Sequence, residues 1–125
     1  MILEVLPQAL AVTKLDSTSV IPSWAVQGDF FSVTKTDEEL SVVCREALIP
    51  KEIVAERGFR CFKVRGPLDF TLTGILASLA EPLARAKVSI FAISTFNTDY
   101  LLVKEKDLAL ALEVLLGEGH QIVEY

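Results

Sequence analysis

Residues 94–99 read Ser-Thr-Phe-Asn-Thr-Asp, five residues with hydrogen-bonding side chains around one aromatic. They stand between two apolar runs, Val88-Ser-Ile-Phe-Ala-Ile93 and Tyr100-Leu-Leu-Val103, which read as buried strands. A hairpin needs only two residues to join such strands, commonly Asn-Gly or Asp-Gly. Here the connection is longer, polar and free of glycine. Hydroxyls, an amide and a carboxylate converging at the mouth of an apolar scaffold are the groups that bind and orient a small polar ligand.

The rest of the chain offers no competing chemistry. His120 is the sole histidine, and no Cys, His or acidic partner lies at ligand spacing from it, so no metal site can be assembled. No Ser-His-Asp set forms around it, since nothing marks a nucleophile. Gly58, Gly66, Gly117 and Gly119 make no phosphate-binding loop. Cys44 and Cys61 lie far apart in strand-like runs and read as small buried hydrophobes rather than a disulfide or metal pair. Asp37-Glu38-Glu39 is a solvated turn. Trp24 either anchors a subunit interface or fills the core. A non-catalytic chain without cofactor or metal is expected.

The elements that must position the polar segment follow from periodicity. Phe59 to Arg65 alternates, with Phe62 and Val64 on one face and Cys61 and Lys63 on the other, and predicts a strand. Gly66-Pro67 breaks it. Leu72, Ile75, Leu76, Leu79 and Leu83 then follow helical spacing, with Asp69 or Thr71 as the capping residue and Pro82 set to kink or loosen the end. The two strands around residues 94–99 come next. Asp107 is placed to cap a second helix carrying Leu108, Ala111, Leu112 and Leu115 on one face, ended by Gly117 and Gly119. Residues 120–125 form a last short strand. The order β-α-β-β-α-β over residues 59–125 predicts a ferredoxin-like α+β sandwich, both helices on one side of an antiparallel sheet.

Residues 1–58 are strand-rich and helix-poor. Ile2–Leu6 and Leu10–Leu15 read as strands, or as one long strand broken by Pro7. Residues 19–24 make a single helical turn, and Phe30–Lys35 pairs with Leu40–Arg45 as a hairpin. This half looks like a reduced copy of the β-α-β-β plan, so two units are expected, 1–58 and 59–125.

Composition bounds the setting. The chain has 125 residues, 51% hydrophobic and 23% charged, enough to build a core. Its net charge of −5 argues against nucleic acid and anionic membranes as partners. No stretch reaches the roughly 18 apolar residues of a membrane helix. The segment Met1-Ile-Leu-Glu-Val-Leu-Pro lacks a basic n-region and is interrupted by Glu4, so no signal peptide is read and a cytoplasmic location is expected. A mean hydropathy of +0.44 is high for a chain of this kind and points to surface buried against another unit or copy.

The polar hairpin, the element order and the Gly66-Pro67-Leu68-Asp69-Phe70 turn together resemble the ACT domain, the amino-acid-sensing module of metabolic regulation. The likeness is closest to the tandem ACT units of aspartate kinases and of the arginine-sensing CASTOR proteins. It rests on Thr73-Gly-Ile-Leu-Ala77, Glu81-Pro-Leu-Ala84, Val88–Val103 and Glu105-Lys-Asp-Leu108. It covers residues 60–120 in sequence and residues 1–58 in architecture alone, the latter lacking proper helices. The resemblance implies an amino acid bound where the strand-to-helix turn of one unit, Gly66 to Gly74, faces the hairpin of another, Ser94 to Asp99. It also implies a homodimer.

Within that frame each residue has two readings. Asp69 and Asp99 can receive the ligand ammonium through charge-assisted bonds, or Asp69 caps the helix and Asp99 bonds its own backbone. Backbone N–H groups near Leu72 and Thr73 can hold the carboxylate. Gly74 lets the ligand approach, or lets the helix pack closely on the sheet. Ser94, Thr95, Asn97 and Thr98 offer polar contacts, or only turn chemistry. Phe96 walls an aliphatic side chain, or is one more buried aromatic. Two further functions stand beside ligand binding: a ligand-free dimerisation module and a small cofactor-independent enzyme.

Overall fold

In a computed structural model, residues 1–69 and 73–124 are described. The strands in chain order are β1 (Ile2–Val5), β2 (Leu10–Leu15), β3 (Ser32–Lys35), β4 (Leu40–Arg45), β5 (Ala55–Val64), β6 (Phe91–Ser94), β7 (Asp99–Lys104) and β8 (Gln121–Glu124). The helices are α1 (Ile75–Arg85) and α2 (Leu108–Gly117). The chain divides into two compact units, Met1–Pro7 with Arg60–Tyr125, and Gln8–Phe59. Strand β5 gives its first half to one unit and its second half to the other.

The unit containing the polar hairpin has the expected order β5-α1-β6-β7-α2-β8. Its strands pair as β6-β7-β5-β1-β8. The α+β ferredoxin-like sandwich is therefore present, with β1 added between β5 and β8. β1 runs antiparallel to β5, placing Leu3 against Val64, and parallel to β8, placing Leu3 against Ile122. Residues 1–7 thus cluster with residues 60–125 rather than with the segment that follows them. Pro7 ends β1, and the chain crosses into the other unit.

Period two on the strands sets the core. Leu3, Val5, Phe62, Val64, Leu101 and Val103 share the face covered by both helices, which add Leu79, Leu83, Ala111 and Leu115. Each fully buried Leu or Phe contributes roughly 1.5–3 kcal/mol of apolar transfer. The opposite face is less uniform. Glu4 is 7% exposed there, beside Arg65 at 3.7 Å and Lys63 at 4.0 Å.

The helix starts differ from the sequence reading. Ile75 begins α1, Leu72 lies outside the described residues, and Gly74 occupies the cap position in the left-handed conformation at φ 77°, with no side-chain cap bond. Asp69 therefore does not cap α1, and Thr71 lies outside the described residues. Asp107 likewise makes no cap bond; a 3-10 turn, Glu105–Asp107, leads straight into α2. Pro82 is buried inside α1, and the helix continues past it to Arg85. Only the final turn loses an N–H, which the rest of the helix tolerates.

The other unit is strand-rich, as its composition predicts. Its strands pair as β3-β4-β2 and the first half of β5, all antiparallel. A 3-10 turn, Ser23–Val26, stands where one helical turn was expected, a few residues later than read. Ala11, Ala25, Val42, Cys44 and Ile49 form its core, and Trp24 packs half-buried against them. Among the described residues, no helix is long and apolar enough to cross a membrane.

Candidate ligand-binding site

The polar hairpin is shorter in its turn than it looks in sequence. The ladder of β6 and β7 runs to the pair Ser94–Asp99. Thr95 N–H then donates to Thr98 O at 2.8 Å, so Phe96 and Asn97 alone form the tip. Thr95 Oγ1 donates to Thr98 O at 3.0 Å and accepts from Thr98 N–H at 3.3 Å. A threonine hydroxyl thus replaces a backbone carbonyl as the acceptor. Among the described residues, positive φ outside glycine occurs only at Lys87, so this tip needs no left-handed residue. That explains a hairpin of this length without glycine.

Both threonine hydroxyls are committed to structure. Thr98 is 5% exposed and its hydroxyl donates to Val64 O at the end of β5. The turn's bonds leave the side-chain groups of Ser94, Asn97 and Asp99 out. Of the six hairpin residues in the sequence reading, Thr95 and Thr98 are thus the two whose hydroxyls bond backbone.

The hairpin lies against the connection from β5 to α1. Leu68 N–H donates to Asn97 O at 2.7 Å. A Cβ on Gly66 would stand 3.0 Å from Asn97 O, 3.1 Å from Leu68 N and 3.4 Å from the Cβ of Thr98. Gly66 is thus a close-approach glycine, and its peptide bond to Pro67 is cis. Gly74 has a different role. A Cβ there would meet nothing within 4 Å, so its positive φ, not tight packing on the sheet, calls for glycine.

A cavity of about 260 Å3 opens between these walls. The connection and helix start contribute Leu68, Asp69, Gly74, Ile75 and Leu76, and the hairpin contributes residues 94–99. Asp69, Gly74 and all six hairpin residues of the sequence reading come together here. Gly66 lies beneath the hairpin rather than in the lining, Thr73 is exposed beside it, and Leu72 lies outside the described residues. Phe96 is 81% exposed at the rim, which corrects its reading as a buried aromatic. Leu68, Ile75 and Leu76 were read only as turn and helix-core residues. Their half-burial gives the cavity an apolar side that helical spacing alone does not reveal.

The cavity's charge is one-sided. Among the described residues, its lining holds two carboxylates, Asp69 and Asp99, and no lysine or arginine. The positive end is the start of α1. The first helical bond joins Ser78 N–H to Gly74 O at 2.9 Å, so the amides of Ile75, Leu76 and Ala77 precede the helical ladder. Elsewhere in the same unit, burial pushes the Cys61 thiol up to about 12, leaving an unreactive neutral thiol. Tyr100 is also raised, first by burial and then by Cys61 and Glu4. Among the described residues, no group of His, Cys, Asp and Glu could hold a metal ion.

Residues 54–116 match the model of the ACT domain family, and residues 8–52 match that of an N-terminal domain of a further family. The bovine cytosolic arginine sensor for mTORC1 subunit 1 is 34% identical over 100 residues, 71% of this chain and 30% of that protein. The chain thus spans about a third of the length of the curated relatives it matches. Protein Atu0741 of Agobacterium tumefaciens superposes with a TM-score of 0.94 at 38% identity, covering 99% of this chain and 92% of that one. The aspartate kinase of Clostridium acetobutylicum has a TM-score of 0.63 at 12% identity over 90% of this chain and 33% of its own, a likeness of fold. The matched stretch contains every residue lining the cavity, and the chain belongs to the ACT domain family.

Proposed function

We propose that the chain is a regulatory module without catalysis of its own, and that it binds an amino acid in the cavity between the β5–α1 connection and the hairpin. The observation that carries this reading is the grouping of Asp69, Asp99, Asn97 and the amide-rich start of α1 around one small space. Its volume of about 260 Å3 falls just under the roughly 300–1,000 Å3 of drug-sized pockets, the scale of a small metabolite. The ligand ammonium pairs with Asp99 or Asp69, where a charge-assisted bond is strongest. The carboxylate sits at the N-terminus of α1, where unpaired amides and the helix dipole favour an anion. Leu68, Ile75 and Leu76 receive aliphatic carbons.

The relatives named as arginine sensors make L-arginine the first ligand to test. The cavity is an open cleft, with Ser94, Thr95, Phe96 and Asn97 all exposed. A second copy of the chain closes it in this reading, so ligand binding and homodimer formation are coupled. Ligand then shifts the assembly only by binding one state more tightly than the other.

Thermal unfolding with each of the twenty amino acids tests the reading. A ligand at ~100 times its Kd adds about 2.7 kcal/mol of stability. One amino acid, arginine first, should raise Tm by several degrees. No shift with any of the twenty removes the amino-acid reading and leaves the ligand-free interaction module in its place.

A further inference from the structure

We infer that Thr98 is a positioning residue, which with Gly66 forms a clasp that locks the ligand-binding hairpin to the β5–α1 connection and so fixes the width of the cavity. The inference rests on the reading above that this cavity binds an amino acid; the clasp itself is defined by geometry alone.

Three alternate positions, Val64 at the end of β5 and Gly66 and Leu68 in the connection, meet two neighbouring positions on the hairpin. Val64 O accepts the Thr98 hydroxyl. Gly66 offers no side chain where Asn97 O would stand 3.0 Å from its Cβ. Leu68 N–H donates to Asn97 O at 2.7 Å. Leu68 and Asn97 belong to opposite walls of the cavity, so the bond between them sets how far apart those walls stand. Thr98 holds that bond in register. A buried hydroxyl without a partner is costly, so the hairpin strand is drawn to the one orientation in which Val64 O receives it. The same residue spans the turn, where its N–H reaches Thr95 Oγ1 at 3.3 Å and its O accepts from Thr95 N–H. Thr98 thus ties the tip that carries Asn97 to the strand end that precedes Leu68. Its hydroxyl is committed to Val64 O, so it acts through Asn97, Leu68 and Asp99.

Thr98→Val keeps the shape and removes the hydroxyl, and Thr98→Ser keeps the hydroxyl. Amide hydrogen exchange at Leu68, compared with core amides such as Leu79 and Leu101, reads the clasp directly. Calorimetric titration with L-arginine reads the cavity. In Thr98→Val, Leu68 exchange should rise about tenfold more than that of the core amides, and L-arginine affinity should fall about tenfold. Thr98→Ser should restore both. Equal acceleration of Leu68 and the core amides would mean that Thr98 only stabilises the fold, and unchanged Leu68 exchange would mean that no clasp exists; either overturns the inference. If Thr98→Val does not fold, Gly66→Ala presses on the same contact from the other side and is read at the same amide. If Leu68 responds but the wild-type chain binds none of the twenty amino acids, the clasp stands and the ligand reading above is the part that fails.

Discussion

Replacing Gly66 by alanine puts opposing effects at one position, and the structure says which wins. The added Cβ would lie 3.0 Å from Asn97 O and 3.1 Å from Leu68 N. Both neighbours are backbone, so neither can swing away as a flexible side chain would. Ordinary contact begins several tenths of an ångström further out, and the hairpin or the connection must move to provide it. Overpacking of this kind costs about 1–3 kcal/mol. Stretching the Leu68–Asn97 bond adds about 1 kcal/mol. Against this, Gly66 is not among the positive-φ residues, so alanine can adopt its backbone conformation, and the less flexible unfolded chain returns about 0.4–1 kcal/mol. The net expectation is a loss of about 1–3.5 kcal/mol. At about 4 °C per kcal/mol, where the values for smaller and larger domains meet, Tm should fall by roughly 4–14 °C in a calorimetric melt. Because the strain falls on the cavity wall, affinity for the ligand should fall as well. A Tm at or above that of the wild type would show that hairpin and connection separate without cost, and the account of Gly66 would be wrong.

The remaining predictions probe other parts of the fold. Gly74→Ala should cost about 1–2 kcal/mol through its left-handed φ of 77°, with no clash, so Leu68 exchange should stay at the wild-type rate while Tm drops. Leu83→Ala, at a fully buried position on α1, should destabilise by about 2–5 kcal/mol in urea unfolding. Cys61 has a folded value of about 12 against an ordinary 9.0, so the folded state holds its proton more tightly. The stability this provides is complete below pH 9 and is lost as pH rises towards 12, by about 4 kcal/mol over that window. Urea unfolding at pH 8 and pH 10.5 should show about half of that loss, and Cys61→Ala should flatten most of the slope.

Local pattern carried much of this fold. The spacing of Ile75, Leu76, Leu79 and Leu83 requires a helix with one apolar face, and that face is the one buried. Alternation at Phe62 and Val64 correctly separates core from the opposite face of the sheet. Period alone does not choose a strand's partner, however. Ile2–Leu6 reads as a strand from its composition, yet the place of β1 between β5 and β8 depends on residues more than fifty positions away. The start of α1 was misread because Asp69 and Thr71 are good caps by type, whereas Gly74 takes the position by conformation. At the site, residue types showed that the hairpin was polar and could not show how its groups are shared. Only the turn geometry reveals that Thr95 and Thr98 spend their hydroxyls on backbone, while Ser94, Asn97 and Asp99 stay outside those bonds. Gly66 reads by type as a ligand-facing turn residue, and the structure places it where it allows the hairpin to come close.

In the proposed function, the cleft between the β5–α1 connection and the hairpin holds an amino acid. The most direct measurement is a two-dimensional amide NMR titration of the full chain with L-arginine, followed by the other nineteen amino acids. Saturable shifts should concentrate at Leu68, Asp69, Gly74–Ala77 and Ser94–Asp99, and should be lost in Asp99→Asn. Shifts centred elsewhere, such as around Arg85, Glu118 and His120 at the far end of α1, or no saturable shift with any amino acid, would contradict it.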